Sequence, residues 1–73
     1  MCDLKVLQQC YVVKKDYREL YPDIEYYNDT YYIQYDLGNN HIRFEMTESN
    51  VIDNLWIAQI KRKVIEWIND VSE

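Results

Sequence analysis

The chain has 73 residues and a formal net charge of -5, with 13 Asp and Glu against 8 Lys and Arg, one His, one Gly, one Pro and two Cys. A single Gly excludes a glycine-rich phosphate loop, and a single His excludes a His pair for a metal or a proton shuttle. One small domain over residues 1–73 is expected, short enough that self-association is one way to complete its core.

At the start, Met1-Cys2-Asp3-Leu4-Lys5 shows no basic segment leading into an apolar one. No apolar run approaches the roughly 20 residues that cross a bilayer, so a soluble, cytoplasmic protein with no membrane partner is expected. On one helix Cys2 and Cys10 would be separated by a rise of about 12 Å, beyond disulfide reach. Both are read as free thiols, with Cys10 a small buried apolar residue.

Val6, Cys10, Val13, Tyr17, Leu20 and Ile24 recur at steps of four and three, which predicts a first helix with Asp3 as N-cap and an end near Leu20, ahead of Pro22. Leu4, Leu7, Tyr11 and Val12 widen its apolar side. Val12 and Val13 leave a strand over residues 5–13 as the alternative.

From Ile24 the period becomes two. Tyr31, Ile33, Tyr35 and Leu37 alternate with polar neighbours, as do Ile42, Phe44 and Met46. A turn at Asn28 and Asp29 pairs Ile24 with Ile33 and Tyr26 with Tyr31. A turn at Asn39 and Asn40 pairs Leu37 with Ile42, Tyr35 with Phe44 and Ile33 with Met46. The same register sets Asp36 opposite Arg43, Gln34 opposite Glu45 and Tyr32 opposite Thr47 on the outward face.

The last segment places Ile52, Trp56, Ile57, Ile60, Val64, Trp67, Ile68 and Val71 on one helical arc, capped by Thr47, Ser49 or Asn50. The expected fold is α+β, in the order αβββα, with a three-stranded antiparallel meander and two helices packed on one face.

Charge is unevenly distributed along this order. Residues 19–53 hold Glu19, Asp23, Glu25, Asp29, Asp36, Glu45, Glu48 and Asp53 against Arg43 alone, and also six of the eight tyrosines. Lys61-Arg62-Lys63 forms a short basic helix face. A net-negative surface repels a polyanion, so direct nucleic-acid binding is not expected.

The element order is similar to that of the double-stranded RNA-binding domain. Such domains start their last helix with a lysine cluster, where this chain has Glu48, Ser49, Asn50 and Asp53. The stretch Tyr35-Asp36-Leu37-Gly38-Asn39-Asn40-His41-Ile42-Arg43-Phe44-Glu45-Met46, continuing through Thr47-Glu48-Ser49-Asn50-Val51-Ile52, resembles the second hairpin and following helix of a family of small acidic phage anti-CRISPR proteins that inhibit Cas9 as DNA mimics. The resemblance implies a virus-encoded inhibitor acting in the host cytoplasm on a CRISPR nuclease or another basic nucleic-acid enzyme. It points to Asp36, Gly38, Asn39, Asn40, Glu45 and Glu48, with Arg43 interrupting the negative face.

Mimicry also has a physical basis in the residues themselves. Duplex DNA carries one charge per roughly 1.7 Å of axis, so a protein substitute needs carboxylates held along a rigid face. Glu25, Asp36, Glu45 and Glu48 could form such a row, and Tyr27 and Tyr32 add rigid contact area on the same face. The alternative is a subunit or homodimeric interaction module whose exposed helix apolars, such as Leu4, Leu7 or Leu55, finish their burial against a partner. No catalytic residue, metal site or cofactor is assigned; His41 is read as a surface residue of the hairpin, and enzymatic activity is not expected.

Overall fold

A computed structural model describes residues 3–71. The first helix, α1 (Leu4–Cys10), starts as expected, with the Asp3 carboxylate accepting from the Lys5 N–H at 2.9 Å. It stops well short of Leu20. The β-branched Val12 and Val13 favour extended backbone, and Asp16 adopts a φ of 57°, so the chain folds back as the hairpin β1 (Val13–Lys15) and β2 (Arg18–Leu20), with Val13 opposite Leu20.

The predicted stripe is therefore divided: Val13 is buried and Leu20 and Ile24 pack against the core from strands, while its other members face solvent. Val6 is 56% exposed, Cys10 is an exposed free thiol, and Tyr17 stands fully exposed at the hairpin turn. Leu7 and Tyr11, four residues apart, go inward instead, and Leu7 is thus no exposed helix apolar. Cys2 lies outside the described residues.

β3 (Asp23–Tyr27), β4 (Thr30–Leu37) and β5 (Asn40–Met46) form the antiparallel meander in the order β3-β4-β5. Its first hairpin has the expected register, Ile24 opposite Ile33 and Tyr26 opposite Tyr31. Asn28 and Asp29 both take positive φ, 52° and 59°, as a type I′ turn requires.

The second hairpin is displaced by two residues from the expected pairing. Gly38 and Asn39 make the turn, Asn40 joins the strand, and the pairs are Leu37 with Asn40, Tyr35 with Ile42, Ile33 with Phe44 and Tyr31 with Met46. Gly38 sits at φ 62°, a conformation glycine adopts without a Cβ penalty, and this fixes the turn one residue earlier than Asn39-Asn40. The outward pairs change accordingly to Asp36 with His41, Gln34 with Arg43 and Tyr32 with Glu45.

The C-terminal segment is two helices. Thr47 precedes α2 (Glu48–Val51) without a side-chain cap bond, and α3 (Asn54–Val71) begins after Asp53, whose carboxylate accepts from the Leu55 N–H at 2.8 Å. Ile52 falls in the break and is 56% exposed, whereas Val51 is fully buried. The rest of the arc is as expected, with Ile60, Val64 and Ile68 buried and Trp56, Ile57 and Trp67 packed against them.

Two tyrosine hydroxyls tie these pieces together. Tyr35 donates to the Tyr11 carbonyl at 2.6 Å, and Tyr11 donates to the Val51 carbonyl at 3.0 Å with Met46 Sδ at 3.3 Å. One core thus joins α1, the inward face of the meander, α2 and α3. Gln8 Nε2 donates to the Pro22 carbonyl at 2.9 Å, which seats α1 beside β3; among the described residues no helix or strand is layered over the opposite face of the meander, which α1 borders along one side.

Candidate protein-binding face

Strand alternation sends Asp23, Glu25, Tyr27, Thr30, Tyr32, Gln34, Asp36, His41, Arg43 and Glu45 to the outward face. Two of its rows cross all three strands: Glu25–Tyr32–Glu45 and Asp23–Gln34–Arg43. Adjacent strands are about 4.8 Å apart and alternate residues about 7 Å apart, which puts Glu25 roughly 10 Å from Glu45 and about 7 Å from Asp23, backbone to backbone. Four carboxylates and one guanidinium therefore share a surface held by ladder hydrogen bonds.

The aromatic part runs diagonally across these rows. Tyr27 stacks on Tyr32 with centroids 4.6 Å apart and planes at 21°, and the Arg43 guanidinium carbon lies 4.6 Å from the Tyr32 ring centroid. Removal from water, then the Tyr27 hydroxyl and the charge of Glu45, hold the Tyr32 hydroxyl above its ordinary pKa, while Thr30 works in the opposite direction. Gln34 Nε2 donates to Asp36 Oδ1 at 3.0 Å, orienting that carboxylate along the strand. Arg43 demonstrates that this surface can hold a guanidinium by stacking.

Of the residues expected to act together, Glu25, Tyr27, Tyr32, Asp36 and Glu45 do share this face. Gly38, Asn39 and Asn40 lie at its far end, with His41 about 14 Å along β5 from Glu45 at 3.4 Å per residue. Glu48 departs from the row. It opens α2, and its charge bears on the hydroxyl of Tyr26, an inward-facing residue whose pKa is raised first by burial and then by its 3.2 Å hydrogen bond to Asp29.

Asp23 is not among the residues expected at the site, because the period of two starts at Ile24 whereas the strand starts one residue earlier. The preceding Pro22, which has no N–H to place in a ladder and is tolerated at a strand's entry, is the available signal that the strand starts directly after it. Nor are Lys5 and Gln8 among the expected residues. With Leu4 these border a groove of about 410 Å³ over Asp23, Glu25, Tyr32, Gln34 and Arg43. A second groove, of about 660 Å³ and more apolar, lies between the β1–β2 hairpin and Leu37 and Ile68.

Among the described residues no group of three or more His, Cys, Asp or Glu is placed to hold a metal ion, and no helix is long and apolar enough to cross a membrane. Compared with protein-family models, curated proteins and solved structures, the chain matches none.

Proposed function

We propose that this chain is a virus-encoded inhibitor that occupies a positively charged, nucleic-acid-binding site on a host defence protein, as an acidic decoy for DNA. The observation that supports this most is the uncovered Glu25–Tyr32–Glu45 row, with Asp23 and Asp36 on the same face and Tyr27 stacked beside it. A basic groove shaped for a duplex presents arginines and lysines. Carboxylates on a rigid sheet can pair with these, arginine in bidentate fashion, and an aromatic between them supplies area at low entropic cost. Arg43 reduces the negative charge of the face and selects against surfaces that place a cation opposite it.

The test is displacement of labelled duplex DNA from a guide-loaded Cas9-type nuclease. The wild-type chain should displace the duplex, less so as salt rises, and Glu25→Lys with Glu45→Lys should abolish displacement while the circular dichroism spectrum is kept. Displacement that is absent, or indifferent to both substitutions, contradicts the proposal.

A further inference from the structure

The meander has two edges, and they are treated differently. β3 has α1 seated beside it through Gln8 and Pro22, whereas β5 pairs with β4 and, among the described residues, with no other strand. An open edge is a template for another strand. A two-residue turn is closed by a hydrogen-bonded pair, here Leu37 with Asn40, and such pairs alternate along the ladder. Ile42, Phe44 and Met46 therefore direct their N–H and C=O groups at β4. His41, Arg43 and Glu45 direct theirs outward.

We infer that the β5 edge is a self-association surface, and that its occupant is β5 of a second copy, antiparallel about a two-fold axis at Phe44. The argument is charge complementarity combined with register. With Phe44 opposite its own copy, Arg43 faces the other chain's Glu45 and Glu45 faces the other chain's Arg43, so both outward-face pairs join opposite charges. Each of these two residue pairs can exchange two backbone hydrogen bonds.

The adjacent symmetric registers fail on the same test. One sets Arg43 against Arg43 of the copy, the other Glu45 against Glu45, and like charges directly opposite each other destabilise a strand pair. Charged residues commonly protect an edge from pairing, but opposite charges two positions apart attract an antiparallel copy instead of repelling it. On the inward face the same register brings the half-buried Phe44 against its copy and sets the half-buried Ile42 opposite Met46, which is already buried in its own chain, so the further burial falls on Phe44 and Ile42. The result is a continuous six-stranded sheet, and it does not depend on the decoy reading.

Sedimentation of the full chain at low salt, from micromolar to millimolar concentration, should show monomer giving way to dimer. Arg43→Glu and Glu45→Arg should each stay monomeric. Mixed together, or combined in one chain, they should dimerise again, because each arrangement restores opposite charges across the axis. Hydrogen exchange on the wild-type chain gives a second readout that needs no variant: the Arg43 and Glu45 amides should become protected as concentration rises. A chain that stays monomeric throughout overturns the inference. So does a dimer that ignores both single substitutions, or one whose Arg43 and Glu45 amides remain unprotected.

Discussion

Tyr11 and Tyr35 are fully buried, and each is worth its burial only because its hydroxyl finds a carbonyl. Tyr35→Phe removes the donor from the Tyr11 carbonyl and leaves that oxygen without its partner at 2.6 Å. The expected loss is about 1–3 kcal/mol, read as a lower urea midpoint with unchanged slope. Ionisation is opposed at the same sites. Burial, and then the nearby Cys10 and Asp53, raise the Tyr11 hydroxyl from 10.0 to about 12, and burial moves Tyr35 upward further still.

The sign of the pH dependence follows from these shifts. An unfolded tyrosine loses its proton near pH 10 while the folded one keeps it, so the unfolded state is favoured as pH rises. The contribution of these two tyrosines should be constant below about pH 10 and fall as pH rises from about 10 through 12, measured as the difference in urea-unfolding stability between about pH 9 and successively higher pH. The inward direction of Tyr31 and Tyr35 was legible from alternation, since Ile33 lies between them on the same face. That Tyr11 would reach Val51 was not, because nothing local in the sequence reports a contact between residues so far apart along the chain.

At the scale of elements, the second hairpin shows what a period of two can and cannot specify. A slip of two residues leaves every side chain on its own face, so the pairing of Tyr35 with Phe44 or with Ile42 satisfies the same hydrophobic pattern. Gly38 decides between them through its positive φ. An added Cβ there would meet no atom within 4 Å, so Gly38→Ala is strained only through the backbone. It should cost about 1–2 kcal/mol by thermal or urea unfolding, and Gly38→Asn should cost less.

The first helix was overextended for a related reason. Val6, Cys10, Val13 and Tyr17 match a helical spacing, but β-branched residues and a positive-φ Asp16 impose a hairpin, and the local preference of Val12 and Val13 prevails over the longer pattern. The last helix was legible over most of its length because Trp56, Ile60, Val64, Trp67 and Ile68 leave no other periodicity open. Its start differs because periodicity carries the helix back to Ile52 with a cap at Thr47, Ser49 or Asn50, whereas the carboxylate that accepts from a first-turn N–H is that of Asp53.

Across the described residues, negative charge concentrates where the sequence concentrates it, in the meander, and strand alternation brings four of those carboxylates onto its outward face. Asp23, Glu25, Asp36 and Glu45 point away from the core, whereas Glu48 is carried round to the α2 side. Binding through such a face depends on where the charges are fixed, and general attraction depends only on their sum.

These can be separated by two variants of equal charge change. One is Glu25→Lys with Glu45→Lys on the sheet; the other is Glu66→Lys with Asp70→Lys on the exposed side of α3. The decisive measurement is the affinity of each for the guide-loaded nuclease at fixed ionic strength. The sheet variant should lose binding while the helix variant stays close to wild type; equal losses in the two, or binding retained by the sheet variant, would contradict the account.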